Sequence, residues 1–118
     1  MKISEIQKKL EAKVLCGEEG LETEVYSACG SDMMSDVLAF VKDQAVLLTG
    51  LLNLQTVRTA MMMDMKCIVF VRGKMPDEAA IELAKENGIV LLSTEYRMYT
   101  ACGLLYSGGL YAEGCDKV

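Results

Sequence analysis

Three short polar segments of this chain each follow an apolar stretch and precede a predicted helix, where backbone N–H groups lack partners. Such N–H groups attract anions, and an arginine can make paired, charge-assisted hydrogen bonds to a phosphate. The segments therefore predict a site for a small anion, such as a nucleotide or an acyl-phosphate. Ordinary helix capping and solvated charges would explain the same residues. The predicted site residues are Thr49, Gly50 and Asn53, then Arg72, Gly73 and Lys74, then Ser93 and Thr94.

The chain lacks the usual groups for nucleophilic catalysis and metal binding. It has no histidine to act as a base, no nucleophile-elbow motif and no complete phosphate-binding loop. Its cysteines are widely spaced, so we predict buried free thiols in a reducing compartment, no metal site and no cofactor. We therefore predict that the protein is not an enzyme, with carboxylate or cysteine chemistry on a small molecule as the alternative. The cysteines are Cys16, Cys29, Cys67, Cys102 and Cys115.

The charge balance argues against a nucleic-acid partner. The chain has 12 basic and 17 acidic residues, a net charge of −5, and Lys8-Lys9 is its only adjacent basic pair. Binding to a phosphate backbone requires concentrated positive charge. A DNA-binding regulator, with Ser4–Val14 opening a helix-turn-helix, is a further alternative that this balance opposes. No apolar run approaches the roughly 20 residues of a membrane helix and the N-terminus turns polar at once, so we predict a cytoplasmic protein.

Apolar runs alternate with amphipathic segments along the chain. This alternation predicts an α/β fold with a parallel sheet that helices cover on both faces. We expect one domain over residues 1–118, with its core at about 3–106 and a loose tail at 107–118 that includes a short segment at Leu110-Tyr111. The predicted strands are Val14–Cys16, Val25–Cys29, Ala45–Leu48, Cys67–Val71 and Ile89–Leu92.

The predicted helices take their boundaries from capping residues. Ser4, with Gln7 as its capping-box partner, opens the first helix, and Asp32 is expected to cap the second. The third helix runs from Leu54 to about Asp64 after the Asn53 cap, and the fourth has Pro76 in its first turn and ends at Gly88. Ser93 and Thr94 cap the last helix, which runs to about Tyr106. The apolar face of the second helix is Met34, Val37, Leu38 and Val41.

Methionines are concentrated at the end of the third predicted helix. Of nine in the chain, four lie between Met61 and Met65. Helical spacing places Met61 and Met65 on the sheet side, Met63 roughly opposite and Met62 to one side. Because exposed methionine makes adaptable contacts, we predict a homodimer interface, or contact with a protein partner, at Met62 and Met63. A tolerated surface methionine would explain the pattern equally well.

Four strings of residues, in their order and spacing, resemble the DRTGG domain family. The resemblance covers about residues 3–106, and it extends more distantly to the N-terminal domain of HPr kinase/phosphorylase. It implies a three-layer α/β/α domain with a mostly parallel sheet. It also implies a non-catalytic, regulatory and dimer-forming role, since relatives carry this domain beside CBS domains in regulated pyrophosphatases or inside phosphotransacetylases. The strings are Ser31–Ala39, Ala45–Gly50, Pro76 and Leu91–Thr94.

This chain departs from the two motifs that give the family its name. The Asp-Arg pair of the family falls near Leu51-Leu52-Asn53, where no such pair is present. The Thr-Gly-Gly motif falls at Val71-Arg72-Gly73, where only the last glycine is kept. The resemblance therefore implies a regulatory role, through a small anionic ligand or a protein partner, without carrying a particular ligand over to this chain.

Overall fold

Five helices and a five-stranded sheet form the part of the chain that the structure, a computed structural model, describes: residues 1–40 and 45–111. The strands are β1 (Lys13–Cys16), β2 (Ala28–Gly30), β3 (Val46–Thr49), β4 (Cys67–Phe70) and β5 (Val90–Ser93). The helices are α1 (Ile3–Lys9), α2 (Met34–Phe40), α3 (Leu54–Met62), α4 (Glu78–Glu86) and α5 (Met98–Ser107), and a 3-10 turn covers Glu18–Gly20.

The sheet is mostly parallel, as predicted. Its strands lie in the order β1-β5-β4-β3-β2, with β2 to β5 parallel and β1 antiparallel to β5 at one edge. Every residue of β3, β4 and β5 is buried. Because helices cover both faces of these central strands, their sequences are nearly continuous apolar runs instead of alternating ones.

Two buried clusters, one on each face of the sheet, make this a three-layer α/β/α domain, which confirms the predicted fold class. One cluster contains Ile6 of α1, Leu105 of α5 and Leu48 of β3. The other contains Val57 of α3 and Leu47 of β3, together with residues of α2 and α4. Neighbouring strand residues point to opposite faces, so Leu47 and Leu48 serve different layers. None of the described helices has the length and apolar character needed to cross a bilayer.

The first helix starts earlier than its predicted cap. Ser4 lies inside α1, and the backbone N–H of Lys2 donates to Glu5 Oε1 at 2.9 Å. Gln7, the predicted capping-box partner, instead donates from its side chain to the Ala12 carbonyl at 2.8 Å. The chain then enters β1, a strand of the sheet, and not a second helix. The Ser4 cap and the helix-turn-helix interpretation are therefore both wrong.

Two predictions concern the ends of the described segments. On α2, Leu38 was expected on the apolar face but is 40% exposed, and Val41 lies outside the described residues. After α5, Leu110 is buried, and the Tyr111 carbonyl accepts the Ala28 N–H at 2.9 Å. The packed part of the chain therefore continues to Tyr111, beyond the predicted core boundary at residue 106.

One buried hydroxyl ties the end of β5 to the end of α1. Thr94, directly after β5, is 1% exposed, and its Oγ1 donates to the Leu10 carbonyl at 2.7 Å. Leu10 is the C-cap of α1, where helix carbonyls lack partners within the helix. The bond therefore satisfies a buried carbonyl from a residue 84 positions away.

We predict that Thr94→Val lowers the free energy of unfolding by about 1–3 kcal/mol, because the Leu10 carbonyl stays buried without its donor. Urea unfolding followed by circular dichroism measures the change. Thr23→Val, at an exposed threonine, is the matched control and should change stability by less than about 0.5 kcal/mol. Equal stability of the Thr94→Val and parent proteins would contradict the prediction.

Candidate functional site

The predicted ligand-binding residues lie at one edge of the sheet, because the carboxyl ends of parallel strands meet there. Arg72 connects two of the predicted segments. Its Nη2 atom lies 2.7 Å from the point where a Cβ atom on Gly50 would stand. A side chain at position 50 would displace the guanidinium from this position.

A carboxylate of the protein already occupies the end of β3. Asp32 Oδ1 accepts hydrogen bonds from the Thr49 hydroxyl at 3.0 Å and from the Gly50 N–H at 2.7 Å. The prediction that Asp32 caps α2 is wrong, and Ser31 Oγ instead accepts the Met33 N–H at 3.0 Å. The donors of Thr49 and Gly50 are thus engaged within the protein, and the negative charge of Asp32 would repel a second anion.

Other predicted site residues also use their polar groups inside the fold. Asn53 caps α3, as predicted. Its Oδ1 accepts the Thr56 N–H at 3.3 Å. The Ser93 hydroxyl donates to the Lys74 carbonyl at 2.8 Å, and the Thr94 hydroxyl is bound to α1 as described above. The prediction that Ser93 and Thr94 cap the last helix is wrong, since α5 starts only at Met98.

The segment after β4 is a left-handed turn. Arg72 and Gly73 have φ angles of +63° and +68°. Their N–H groups donate to the carbonyls of Tyr96 and Thr94 at 2.8 and 2.7 Å, which holds this turn against the chain that follows β5. Glu95 Oε1 lies 2.8 Å from the point where a Cβ on Gly73 would stand. The backbone donors of the turn are therefore used, whereas the Arg72 side chain is exposed.

The start of α5 has no cap. Arg97, at the N-cap position, makes no side-chain hydrogen bond to the helix. Within the described ranges, the N–H groups of Met98, Tyr99 and Thr100 have no acceptor. Aligned peptide dipoles give the first N–H groups of a helix a partial positive charge. This ten-residue helix therefore begins with three donors that a ligand could use.

Arg72 and Arg97 line one open groove of about 630 Å³, which we call the arginine groove. Its other lining residues are Glu95, Met98 and Tyr99. It lies between the left-handed turn after β4 and the uncapped start of α5. Of the predicted site residues, Arg72 lines this groove, whereas Lys74 does not.

The arginine groove concentrates positive charge in an acidic chain. It holds two of the three arginines of the sequence. The ion pairs found in residues 1–40 and 45–111 use the N-terminal amine, Lys2 and Lys66, and none uses an arginine. Two exposed guanidinium groups beside a helix N-terminus are groups that can contact an anion, and Glu95 is the one acidic residue among the described residues that line this groove.

Sequence reasoning missed Arg97, Glu95 and Tyr99 because it began α5 at the Ser93-Thr94 pair. A hydroxyl residue before an apolar segment is a common cap signal, but here Thr94 Oγ1 accepts the Tyr96 N–H at 3.3 Å in a turn that does not continue as a helix. The sequence holds no local signal for the later start, because Arg97 lies near the positive end of the helix with either start.

The methionine cluster is partly as predicted. Met62 is 71% exposed, whereas Met63, predicted to point outward, is half-buried and packs against the core. Met61, predicted to face the sheet, is 36% exposed. Met63 differs from the prediction because α3 ends at Met62 and Asp64 turns the chain with φ +56°, so helical spacing does not continue beyond Met62.

The described cysteines are poor nucleophiles. Cys16 and Cys67 are buried, and Cys29 and Cys102 are half-buried. Burial raises the pKa of all four thiols and places that of Cys29 at about 11. Residues 1–40 and 45–111 contain no cluster of three cysteine or acidic side chains that could hold a metal ion.

We predict slow alkylation of these thiols in the folded protein, because the thiolate is the reactive form. A Cys115→Ser variant removes the cysteine that lies outside the described residues. With iodoacetamide at pH 8, this variant should react at least about tenfold more slowly than glutathione, since free cysteine has a pKa of about 8.5. Mass spectrometry locates the label, and urea should restore full reactivity. Rapid labelling of one cysteine in the folded variant would support the alternative of cysteine chemistry.

Comparison with known proteins supports the fold that these contacts build. One solved structure contains the CBS and DRTGG domains of the regulatory region of Clostridium perfringens pyrophosphatase, complexed with the activator diadenosine tetraphosphate. It is similar to this chain with a TM-score of 0.69 and 19% sequence identity. The match covers 88% of this chain and 45% of that one, so the present chain spans less than half of its length. No curated protein matches the chain.

The family is settled by a second comparison, in which the model of the DRTGG domain matches residues 5–107. That range runs from within α1 to the last residue of α5 and includes all five strands. It also contains the arginine groove. The chain belongs to the DRTGG domain family.

Proposed function

We propose that this chain is a non-catalytic regulatory domain that binds a small phosphate-bearing anion in the arginine groove. The observation that carries the proposal is the placement of Arg72 and Arg97, both without an ion-pair partner among the described residues, at the uncapped start of α5. The guanidinium groups would contact phosphate oxygens, and the free N–H groups of α5 would complete the contacts.

The predicted site residues take different parts in this proposal. Arg72 contacts the anion. Gly50 and Gly73 leave room for the Arg72 and Glu95 side chains, and Thr49 holds Asp32 beside Gly50. The hydrogen bonds within the protein that hold the loops in place include those of Asn53, Ser93 and Thr94. The exposed Lys74 ammonium adds only long-range positive charge.

A regulatory role agrees with the structural neighbour, which is the regulatory region of an enzyme and binds a nucleotide activator. We propose a regulatory role for this chain also, in the reducing cytoplasm where free thiols persist. The alternative of small-molecule catalysis has weaker support, because the described thiols have raised pKa values and the chain has no histidine.

Inorganic tripolyphosphate is a suitable first probe, because it tests the anion site without any other recognition element. We predict that the parent protein binds it in isothermal titration calorimetry at low salt. Arg72→Gln and Arg97→Gln should each weaken binding by about tenfold or more, since each removes charged hydrogen bonds. Added salt should weaken binding further.

Arg58→Gln is the matched control, because Arg58 is exposed on α3 and does not line the arginine groove. It should leave the affinity unchanged, and unfolding curves should show that all three variants fold. Absence of tripolyphosphate binding, or equal affinity in all variants, would refute the proposed site.

The homodimer remains a separate proposal that rests on Met62, at the exposed end of α3. We predict that sedimentation equilibrium gives twice the monomer mass, and that Met62→Glu gives the monomer, because a charge in an apolar contact is costly to desolvate. Met33→Glu, at a methionine that is 58% exposed before α2, is the control and should remain a dimer. A monomeric parent protein would rule the dimer out.

A further inference from the structure

We infer that the anion bound in the arginine groove is a nucleotide, whose base stacks on Tyr99 and lies over the bare backbone of Gly103. This inference rests on the proposed function and adds the chemical class of the ligand. It depends on three observations: the position of Tyr99, the glycine one turn further along α5, and the carboxylate of Glu95 in the arginine groove.

Tyr99 is 91% exposed, the largest exposed fraction among the large apolar side chains of the described residues. Helical side chains lean toward the N-terminus of their helix, so the Tyr99 ring stands beside the uncapped turn. The ring borders the arginine groove and also a second groove, of about 590 Å³, on the solvent side of α5. It therefore stands between a cationic surface and a mainly apolar one.

The second groove contains a glycine that the fold does not require. A Cβ atom on Gly103 would meet nothing within 4 Å, whereas one on Gly50 or Gly73 would meet a charged side chain closer than 3.0 Å. Glycine destabilises a helix interior relative to alanine, so packing gives no reason for its presence in the middle of α5. Because Gly103 has no side chain, its backbone is uncovered in the groove that Tyr99 and Tyr106 also line.

The order of these groups matches the order of groups in a nucleotide. Phosphate oxygens would contact Arg72 and Arg97, and the base would extend past Tyr99 over Gly103. Tyr99 and Gly103 are four residues apart, which is about 6 Å along a helix axis. Stacking on an exposed tyrosine tolerates any base, because every base has a π face.

Glu95 favours a nucleotide over a bare phosphate chain. Its carboxylate lies against Gly73 and lines the arginine groove, where it would repel an additional phosphate. The same oxygens can accept hydrogen bonds from ribose hydroxyls, which lie between the phosphate and the base. A second copy of the chain could also cover the apolar side of α5, but it would leave the unpaired arginines without a counter-ion.

The test compares ATP with tripolyphosphate, without divalent cations, because the two share a triphosphate and differ in the nucleoside. We expect ATP to bind the parent protein about tenfold or more tightly, in keeping with the usual strength of base stacking. Tyr99→Ala should remove the difference between the affinities for ATP and for tripolyphosphate. Gly103→Leu should weaken ATP binding in the same selective way, and leucine is a good helix former that should not unfold α5.

Tyr26→Ala is the matched control, because Tyr26 is 78% exposed and lies outside both grooves. It should leave both affinities unchanged. Equal affinity for ATP and tripolyphosphate, or ATP binding that Tyr99→Ala does not change, would overturn the nucleotide inference and leave the anion site standing. A Tyr99→Ala variant that loses dimerisation but keeps ATP affinity would identify a second copy as the occupant and also overturn it. If neither compound binds, the proposed function fails together with the inference.

Discussion

Two backbone hydrogen bonds between neighbouring loops determine the shape of this edge of the domain. The N–H groups of Arg72 and Gly73 donate to the carbonyls of Tyr96 and Thr94, so the loop after β4 holds the first residues after β5 in a non-helical path. As a result, α5 starts three residues later than a cap at Thr94 would allow, and it starts beside Arg72. The arginine groove lies in the space left between the two loops by this later start of α5.

The Asp32 carboxylate explains why the adjacent gap between loops is unsuitable for an anion. It comes from the chain after β2 and takes the hydroxyl of Thr49 and the N–H of Gly50, the same donors that a phosphate would use. The hydrogen-bond donors at the end of β3 are thus bound by a carboxylate of the protein itself. Arg72 also reaches Gly50, since its Nη2 atom and Asp32 Oδ1 lie 2.7 Å and 3.5 Å from the point where a Cβ atom on Gly50 would stand.

Features that depend on periodicity could be predicted from the sequence, and features that depend on distant partners could not. The buried strands β3, β4 and β5 and the cap of α3 at Asn53 follow from short-range patterns, and the structure has them close to the predicted places. Ser93 and Thr94 have a local pattern that suits a helix cap equally well. The helix does not start there because the N–H groups of Arg72 and Gly73, from the loop after β4, take the carbonyls of Tyr96 and Thr94, and no local pattern records those contacts. Because α5 was predicted to start too early, Glu95, Arg97 and Tyr99 were not predicted as site residues.

The backbone of Arg72 has an evolutionary consequence. The resemblance places it at the first glycine of the family's Thr-Gly-Gly motif, and its φ of +63° is a conformation that glycine adopts without steric penalty. Every arginine codon is a single base change from a glycine codon, so the unstrained turn is always within one mutational step. Glycine would keep both backbone hydrogen bonds of the turn and lose only the guanidinium. Selection for stability would therefore favour glycine at this position, so an arginine that is kept there in natural variants would indicate selection for its side chain.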